Sequence, residues 1–271
     1  MTISGGSSYT STYWSRPHLV EALLEAVATL GIDLSTATPD MLAPLDQFHG
    51  GSKEATRALA CQAEVAAGMR VLDVGGGLGG PARMLAVEYG ARVTVLDLTT
   101  DYLQAGELLT ARMGLAGQVD FHHGQALDLP FADGSFDLVW TQNSGMNIAD
   151  KARLYGEFFR VLRPAGRLAQ LEPVAGPVQP PYFPLMWASD PADSHLLTAE
   201  ALRQVIMASG FVERHWNPAV SFPEPAATAP HTAITIQRLV MGERLAAIQE
   251  ARKRSAAEDR LRSVLWVGER P

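Results

Sequence analysis

The chain has 271 residues, 47% of them hydrophobic, enough to bury one large core. With 22 Lys and Arg against 29 Asp and Glu the formal net charge is −7, and no basic stretch is interleaved with aromatics, which excludes nucleic acid as an expected partner. The single cysteine, Cys61, excludes an internal disulfide and a cysteine metal cluster, while the lack of a membrane-length apolar run and of a signal-peptide start points to the cytoplasm.

In chain order, Tyr9, Tyr13 and Trp14 come first, and aromatic faces attract cations, so Tyr9 or Tyr13 is expected either to close over a site or to staple the segment to the core. Ser15 is placed as N-cap and Pro17 as an early residue of a helix reaching Leu30, whose apolar face is Leu19, Val20, Leu23, Leu24, Val27 and Leu30. An alanine-rich helix follows, with Cys61 expected as a small buried apolar residue in it.

Next comes the most informative stretch. Val71-Leu72-Asp73-Val74 reads as a buried strand, and Gly75-Gly76-Gly77-Leu78-Gly79-Gly80 as a turn that opens a helix at Pro81. Glycine admits dihedrals closed to other residues there and lets the backbone approach a ligand. A second strand, Val93-Thr94-Val95-Leu96, ends in Asp97, 22 residues beyond Gly75, the usual offset for an acid that binds ribose hydroxyls. Asp73 stands two residues before Gly75 and would repel a pyrophosphate at the helix N-terminus, so the turn is suited to a cationic nucleoside.

Beyond it, apolar strands alternate with amphipathic helices, the pattern of a doubly wound α/β fold with a parallel sheet covered on both faces. Strands are expected near 70–74, 92–97, 119–123, 136–141 and 167–173. Asp150 is the expected N-cap of a helix over 151–162, and Thr198 of one over 199–209 that Gly210 stops. His122 and His123 alternate in a strand and so face opposite sides. Residues 217–233 are rich in proline and alanine and read as a loop, and 234–259 reads as one long helix beside the sheet or on a partner subunit.

From about Met69 to Phe211 the chain resembles the class I S-adenosylmethionine-dependent methyltransferases. The glycine turn with Asp97 carries the resemblance, followed in order by His123-Gly124-Gln125-Ala126-Leu127-Asp128-Leu129-Pro130-Phe131, Gly134-Ser135-Phe136-Asp137-Leu138-Val139-Trp140 and Arg160-Val161-Leu162-Arg163-Pro164-Ala165-Gly166-Arg167-Leu168. The resemblance implies a seven-stranded Rossmann-like sheet, closed by an antiparallel edge pair near 211–216 and 262–268. It implies S-adenosylmethionine as cofactor, contacted by Asp73, Gly75, Gly77, Gly79, Asp97, Leu98, Gln125, Ala126, Leu127 and Gln142. Gln125 stands where the family commonly has Asp, and its amide oxygen can still accept from the adenine amine.

Three further stretches narrow the resemblance to the small-molecule branch that includes glycine, sarcosine and dimethylglycine N-methyltransferases: Asp46-Gln47-Phe48-His49-Gly50-Gly51-Ser52-Lys53-Glu54-Ala55-Thr56, Met146 to Tyr155, and Pro184 to Pro191. These imply an N-terminal helical lid over 1–68 with Tyr13 and Gly51 at the cofactor, and an α/β methyltransferase domain over 69–271. One departure stands out, Asn143 where the branch often carries His. His49, Asn143, Asn147, Glu172 and Tyr182 are the candidate catalytic residues, and no metal is expected. The expected function is in-line methyl transfer to a small amine, amino acid or secondary metabolite. The alternative is a cyclase or lyase that consumes the cofactor and releases methylthioadenosine, motivated by Asn143-Ser144-Gly145; a catalytically silent binding module is disfavoured by the intact cofactor motifs. No nucleic acid or membrane partner is expected, and a homodimer is the candidate assembly.

Overall fold

The computed structural model describes residues 12–222 and 234–271, so Tyr9 and the proline-rich stretch 223–233 lie outside the described residues. Its centre is a seven-stranded sheet in the order β3-β2-β1-β4-β5-β7-β6. The strands are β1 (Arg70–Val74), β2 (Arg92–Asp97), β3 (Val119–His123), β4 (Phe136–Gln142), β5 (Leu162–Ala175), β6 (Val212–Asn217) and β7 (Leu261–Glu269). The first five pair in parallel, with Asp73 beside Val95 and Trp140, and β7 runs antiparallel between β5 and β6. The doubly wound order and the antiparallel edge both agree with the sequence reading.

Alternation along the strands assigns the two faces. Val71, Val93, Val95 and Trp140 pack with α3 (Ser52–Gln62), α4 (Gly80–Tyr89) and α5 (Thr100–Arg112). Leu72, Val74, Val139 and Trp266 pack on the other face with α6 (Lys151–Val161) and α7 (Ala199–Ala208). Asp150 caps α6 by accepting from Arg153 N at 3.0 Å, and Thr198 caps α7 through Ala201 N at 3.2 Å. A third cluster joins α1 (Leu19–Thr29) and α2 (Pro39–Asp46) to α8 (Ile236–Met241) and α9 (Leu245–Ala257), and includes Leu78 and Tyr102. The N-terminal helices and the segment between β6 and β7 thus share one core, which reaches the glycine turn.

Four local expectations are corrected. Ser15 does not cap α1: its hydroxyl donates to Asp101 Oδ2 at 2.8 Å, and the cap position is His18, held left-handed at φ 68 with no side-chain cap bond. The expected long helix is broken at Gly242, whose φ 54 and ψ −133 only glycine adopts readily, and a short 3-10 turn leads from there into α9. β5 begins at Leu162, directly after α6, because the Pro164-Ala165-Gly166 turn is drawn into the strand. Cys61 is exposed, since α3 buries Ala55, Thr56, Leu59 and Ala60 and turns Cys61 outward.

Candidate cofactor and active site

Where the carboxyl ends of β1, β2 and β4 meet the third cluster lies a cavity of about 1440 Å³. Open parallel sheets bind ligands at this edge. β1 contributes Asp73 and the turn after it Gly75 and Gly77, Asp97 ends β2 with Leu98 next to it, and the segment after β3 contributes Gln125, Ala126 and Leu127. Gln142 ends β4, Asn143 and Asn147 follow it, and His49 and Gly51 come from the loop before α3.

The turn is shaped by close approach. A Cβ on Gly75, at φ 72, would lie 2.4 Å from Ser144 Cβ, so only glycine lets the turn nest against the loop after β4. Gly79, expected at the cofactor, does not line the cavity: a Cβ there would meet Phe121 Cζ at 2.8 Å, so its role is to seat α4 against β3.

Of the carboxylates that line this cavity, Asp97 and Asp73 stand at the glycine turn. Asp97 accepts from Gly77 N through Oδ2 at 2.9 Å and from Thr99 N through Oδ1 at 2.8 Å, which fixes its plane while each oxygen keeps a lone pair. Burial raises its pKa against those two bonds. Asp73 is almost wholly buried, and its Oδ2 has no hydrogen-bond partner among the described residues. Burial, and then the charge of Asp97, push its pKa up to about 8. Gln142 supplies the opposite polarity. Its Oε1 accepts from Trp140 Nε1 at 3.0 Å and Thr56 Oγ1 at 3.2 Å, which leaves Nε2 buried without a partner among the described residues. A buried acceptor and a buried donor left open on one cavity await a ligand carrying both complements.

After β4 the chain turns sharply. Asn143 sits at φ 56, a left-handed conformation that asparagine tolerates better than most residues, with its N–H donating to Leu171 O at 2.9 Å. Glu172 Oε1 accepts from Gly145 N at 3.0 Å and Ser144 N at 3.3 Å, while Lys151 Nζ donates to Gly145 O and Ile148 O, both at 2.5 Å. Burial draws the Lys151 pKa down to about 8. This pair of charges grips the loop that presents Asn143 and Asn147 to the cavity.

Besides Gly79, three expected site residues stand elsewhere. Glu172 is not at the end of its strand, because β5 runs on to Ala175; it lies behind the loop, lining a water-sized space of about 10 Å³ with Lys151, Tyr155 and His195. Tyr182 does not line the cavity either: its hydroxyl donates to Glu258, and its ring lies under the guanidinium groups of Arg254 and Arg260. Tyr13 is buried beside the cavity, its hydroxyl donating to Leu185 O at 3.3 Å and Met186 O at 3.1 Å, and the neighbouring Trp14 lines the cavity in its place.

His49 does reach the cavity, with Nε2 2.7 Å from Gln47 Oε1 and 3.2 Å from Thr56 Oγ1, and Nδ1 3.2 Å from Gly50 O. Burial lowers its pKa to about 4, so the imidazole is neutral at physiological pH. His195 was not singled out from sequence. It lines both the large cavity and the small space behind the loop, with its pKa lowered by burial and by the charge of Lys151. The signal available for it was its place just after the Pro184–Pro191 stretch.

Residues 72–170 match a family described as a methyltransferase domain. Glycine/sarcosine/dimethylglycine N-methyltransferase of Actinopolyspora halophila is 34% identical over 132 residues, 49% of this chain and 23% of that protein. The chain spans less than half the length of the curated relatives it matches. Among solved structures, geranyl diphosphate C-methyltransferase of Streptomyces coelicolor A3(2) superposes with a TM-score of 0.65 at 19% identity over 100% of both chains. The [4+2]-cyclase SpnF superposes at 0.64 and 23% identity, over 98% of this chain and 97% of that one. Residues 72–170 thus match a methyltransferase domain, and the chain as a whole shares its fold with these solved structures.

Proposed function

We propose that the protein is an S-adenosylmethionine-dependent methyltransferase that acts on a small molecule by in-line displacement. The carrying observation is that one cavity brings together Asp97, the open Oδ2 of Asp73 and the open Nε2 of Gln142 around a glycine cradle. An ammonium suits Asp73, a carboxylate suits the Gln142 amide, ribose hydroxyls suit the remaining lone pairs of Asp97, and the adenine amine suits Gln125. The bound cofactor supplies an electrophilic methyl group on a sulfonium.

The chain's own part is positioning and water exclusion, and orientation of this kind contributes on the order of 7–11 kcal/mol to such reactions. Asn143 and Asn147 present amides at the edge where an acceptor would approach, and Glu172 and Lys151 hold their loop from behind. His49 stays neutral on the cavity wall, and because both ring nitrogens are held by Gln47 Oε1 and Gly50 O and its pKa is lowered to about 4, its part is to position the wall rather than to take the acceptor's proton. Residues 1–68 are the lid segment over the domain at 69–271, and in support α1 and α2 share a core with α8 and α9 of that domain. The protein works in the cytoplasm, without nucleic acid or membrane, as a homodimer. No described helix is long and apolar enough to cross a membrane.

The competing reading is a cyclase or lyase in which the aminobutyrate arm of the cofactor reacts with itself; it is favoured by the small Ser144 and Gly145 beside Asn143. Incubation with S-adenosylmethionine alone separates the two. Methyl transfer predicts S-adenosylhomocysteine only when an acceptor is added. Stoichiometric methylthioadenosine without acceptor, lost in Asn143→Ala, would establish the cyclase or lyase instead.

Asp73 yields a second test. With a pKa of about 8 its carboxyl is mostly protonated at pH 7, and an ammonium beside it favours the ionised form. Binding at pH 7 is expected to release close to one proton, and affinity to rise with pH until about 8 and then level off. Calorimetry in two buffers of different ionisation enthalpy measures the proton directly. Asp73→Asn should abolish the release; an unchanged count would remove Asp73 from the ammonium site.

A further inference from the structure

The cavity is larger than a cofactor and a small amine require. Ligand sites commonly enclose ~300–1,000 Å³, so a nucleoside-sized cofactor leaves on the order of 400 Å³ or more of the 1440 Å³.

Much of the remaining wall is apolar, set among polar groups that include Asp193, His195, Gln237 and Gln249. Trp14 and Phe48 meet edge to face at 5.7 Å, Met186 and Trp187 come from the loop after β5, and Leu245 and Ile248 from α9. All six line the cavity. Trp14 and Phe48 precede β1, whereas Leu245 and Ile248 lie between β6 and β7, so the segment between β6 and β7 completes the chamber.

Among the described residues, no buried cation of this wall is turned toward the cavity for an acceptor carboxylate. Of the cationic side chains that line the cavity, Lys53 is paired with Asp40 at 2.7 Å, Arg153 donates to Leu127 O at 2.6 Å from an exposed position, and Arg238 and Arg252 are exposed at the rim. Buried Lys151 is turned to the Gly145 and Ile148 carbonyls behind the loop. A zwitterionic amino acid would bury its carboxylate against aromatic and aliphatic side chains, which is costly without a paired cation.

We propose that the acceptor is a bulky, mainly apolar molecule, of the size of a sesquiterpene alcohol, whose body lies against Trp14, Phe48, Met186, Trp187, Leu245 and Ile248. The proposal rests on the methyltransferase reading. It sets this chain apart from the substrates in the name of its Actinopolyspora halophila relative, and it assigns the β6–β7 segment a function as the acceptor wall. Apolar bodies gain from such burial in proportion to the area removed from water.

The test uses the full chain saturated with S-adenosylhomocysteine, with farnesol and sarcosine as probes and tryptophan emission as the readout. Farnesol is expected to bind saturably and at least tenfold more tightly than sarcosine. Met186→Glu places a charge on the wall at a half-buried position and should weaken farnesol at least tenfold, while calorimetry shows S-adenosylmethionine binding unchanged. Phe48→Glu, on a different segment, guards against a local folding defect and should do the same. Absence of saturable farnesol binding, farnesol affinity unmoved by both variants, or turnover of glycine or sarcosine would overturn the proposal while leaving the cofactor reading intact. Failure of S-adenosylmethionine to bind the unmodified chain would overturn the cofactor reading itself, and this proposal with it.

Discussion

Arg83→Met is expected to lower the stability of the chain by about 3–5 kcal/mol, the usual cost of removing one partner from a buried ion pair. Arg83 is fully buried in α4 and donates to Asp46 Oδ2 at 2.9 Å, to Thr110 Oγ1 at 3.0 Å and to Gly106 O at 3.3 Å. It therefore ties together α2, α4 and α5 behind the glycine turn. Without it Asp46 keeps a carboxyl whose pKa burial already raises, now with no cation to offset desolvation. The melting temperature should fall by roughly 10 °C. A loss confined to ~1 kcal/mol would show that the pair is replaceable by packing. The double variant Arg83→Met with Asp46→Leu distinguishes charge from shape: removing both charges should recover most of the loss, because the stranded carboxyl is gone. Because Gly80 packs against the Asp46 carbonyl, with space for no Cβ there, a defect in this pair is also expected to reach the turn.

The cofactor half of the site was legible because its signals are local. A strand, a glycine turn and an acid at the end of the next strand are fixed by short-range backbone needs, and Asp73, Gly75, Gly77, Asp97 and Gln142 all reach the cavity. The sheet was legible for the same reason, since strand periodicity and the caps at Asp150 and Thr198 act within a few residues. What escaped depends on tertiary placement. The fifth strand is expected from sequence to end near 173, but its length is set by pairing with β7, which carries β5 to Ala175, and Glu172 stands behind the loop. Ser15 has the chemistry of an N-cap, yet Asp101 competes for its hydroxyl from another helix. Tyr13 and Trp14 are adjacent aromatics with nothing in sequence to say which faces the ligand. The acceptor wall is the extreme case: Trp14, Phe48, Met186 and Ile248 have no common spacing and meet only because the N-terminal helices share a core with α9.

Asp97→Ala is expected to weaken S-adenosylmethionine binding by about tenfold to a hundredfold, the equivalent of ~1.5–3 kcal/mol for a charge-assisted hydrogen-bonding partner. The carboxylate serves two functions that the variant separates. Its hydrogen bonds from Gly77 N and Thr99 N hold the glycine turn against β2, and Asp97→Asn keeps an oxygen for one of them. Asp97→Asn should therefore preserve more of the turn than Asp97→Ala while still losing the charge. The charge itself reaches Asp73, where it stands second to burial among the causes that raise that pKa. Either substitution should consequently lower the Asp73 pKa toward its ordinary value, so that fewer protons are released when the cofactor binds at pH 7. Affinity and proton count thus fall together if Asp97 and Asp73 serve one ligand. Calorimetry in paired buffers reads both quantities in the same titrations, with the melting temperature as a control for the fold. Unchanged affinity would remove Asp97 from the ribose site, and lowered affinity with an undiminished proton count would break the electrostatic link between the two carboxylates.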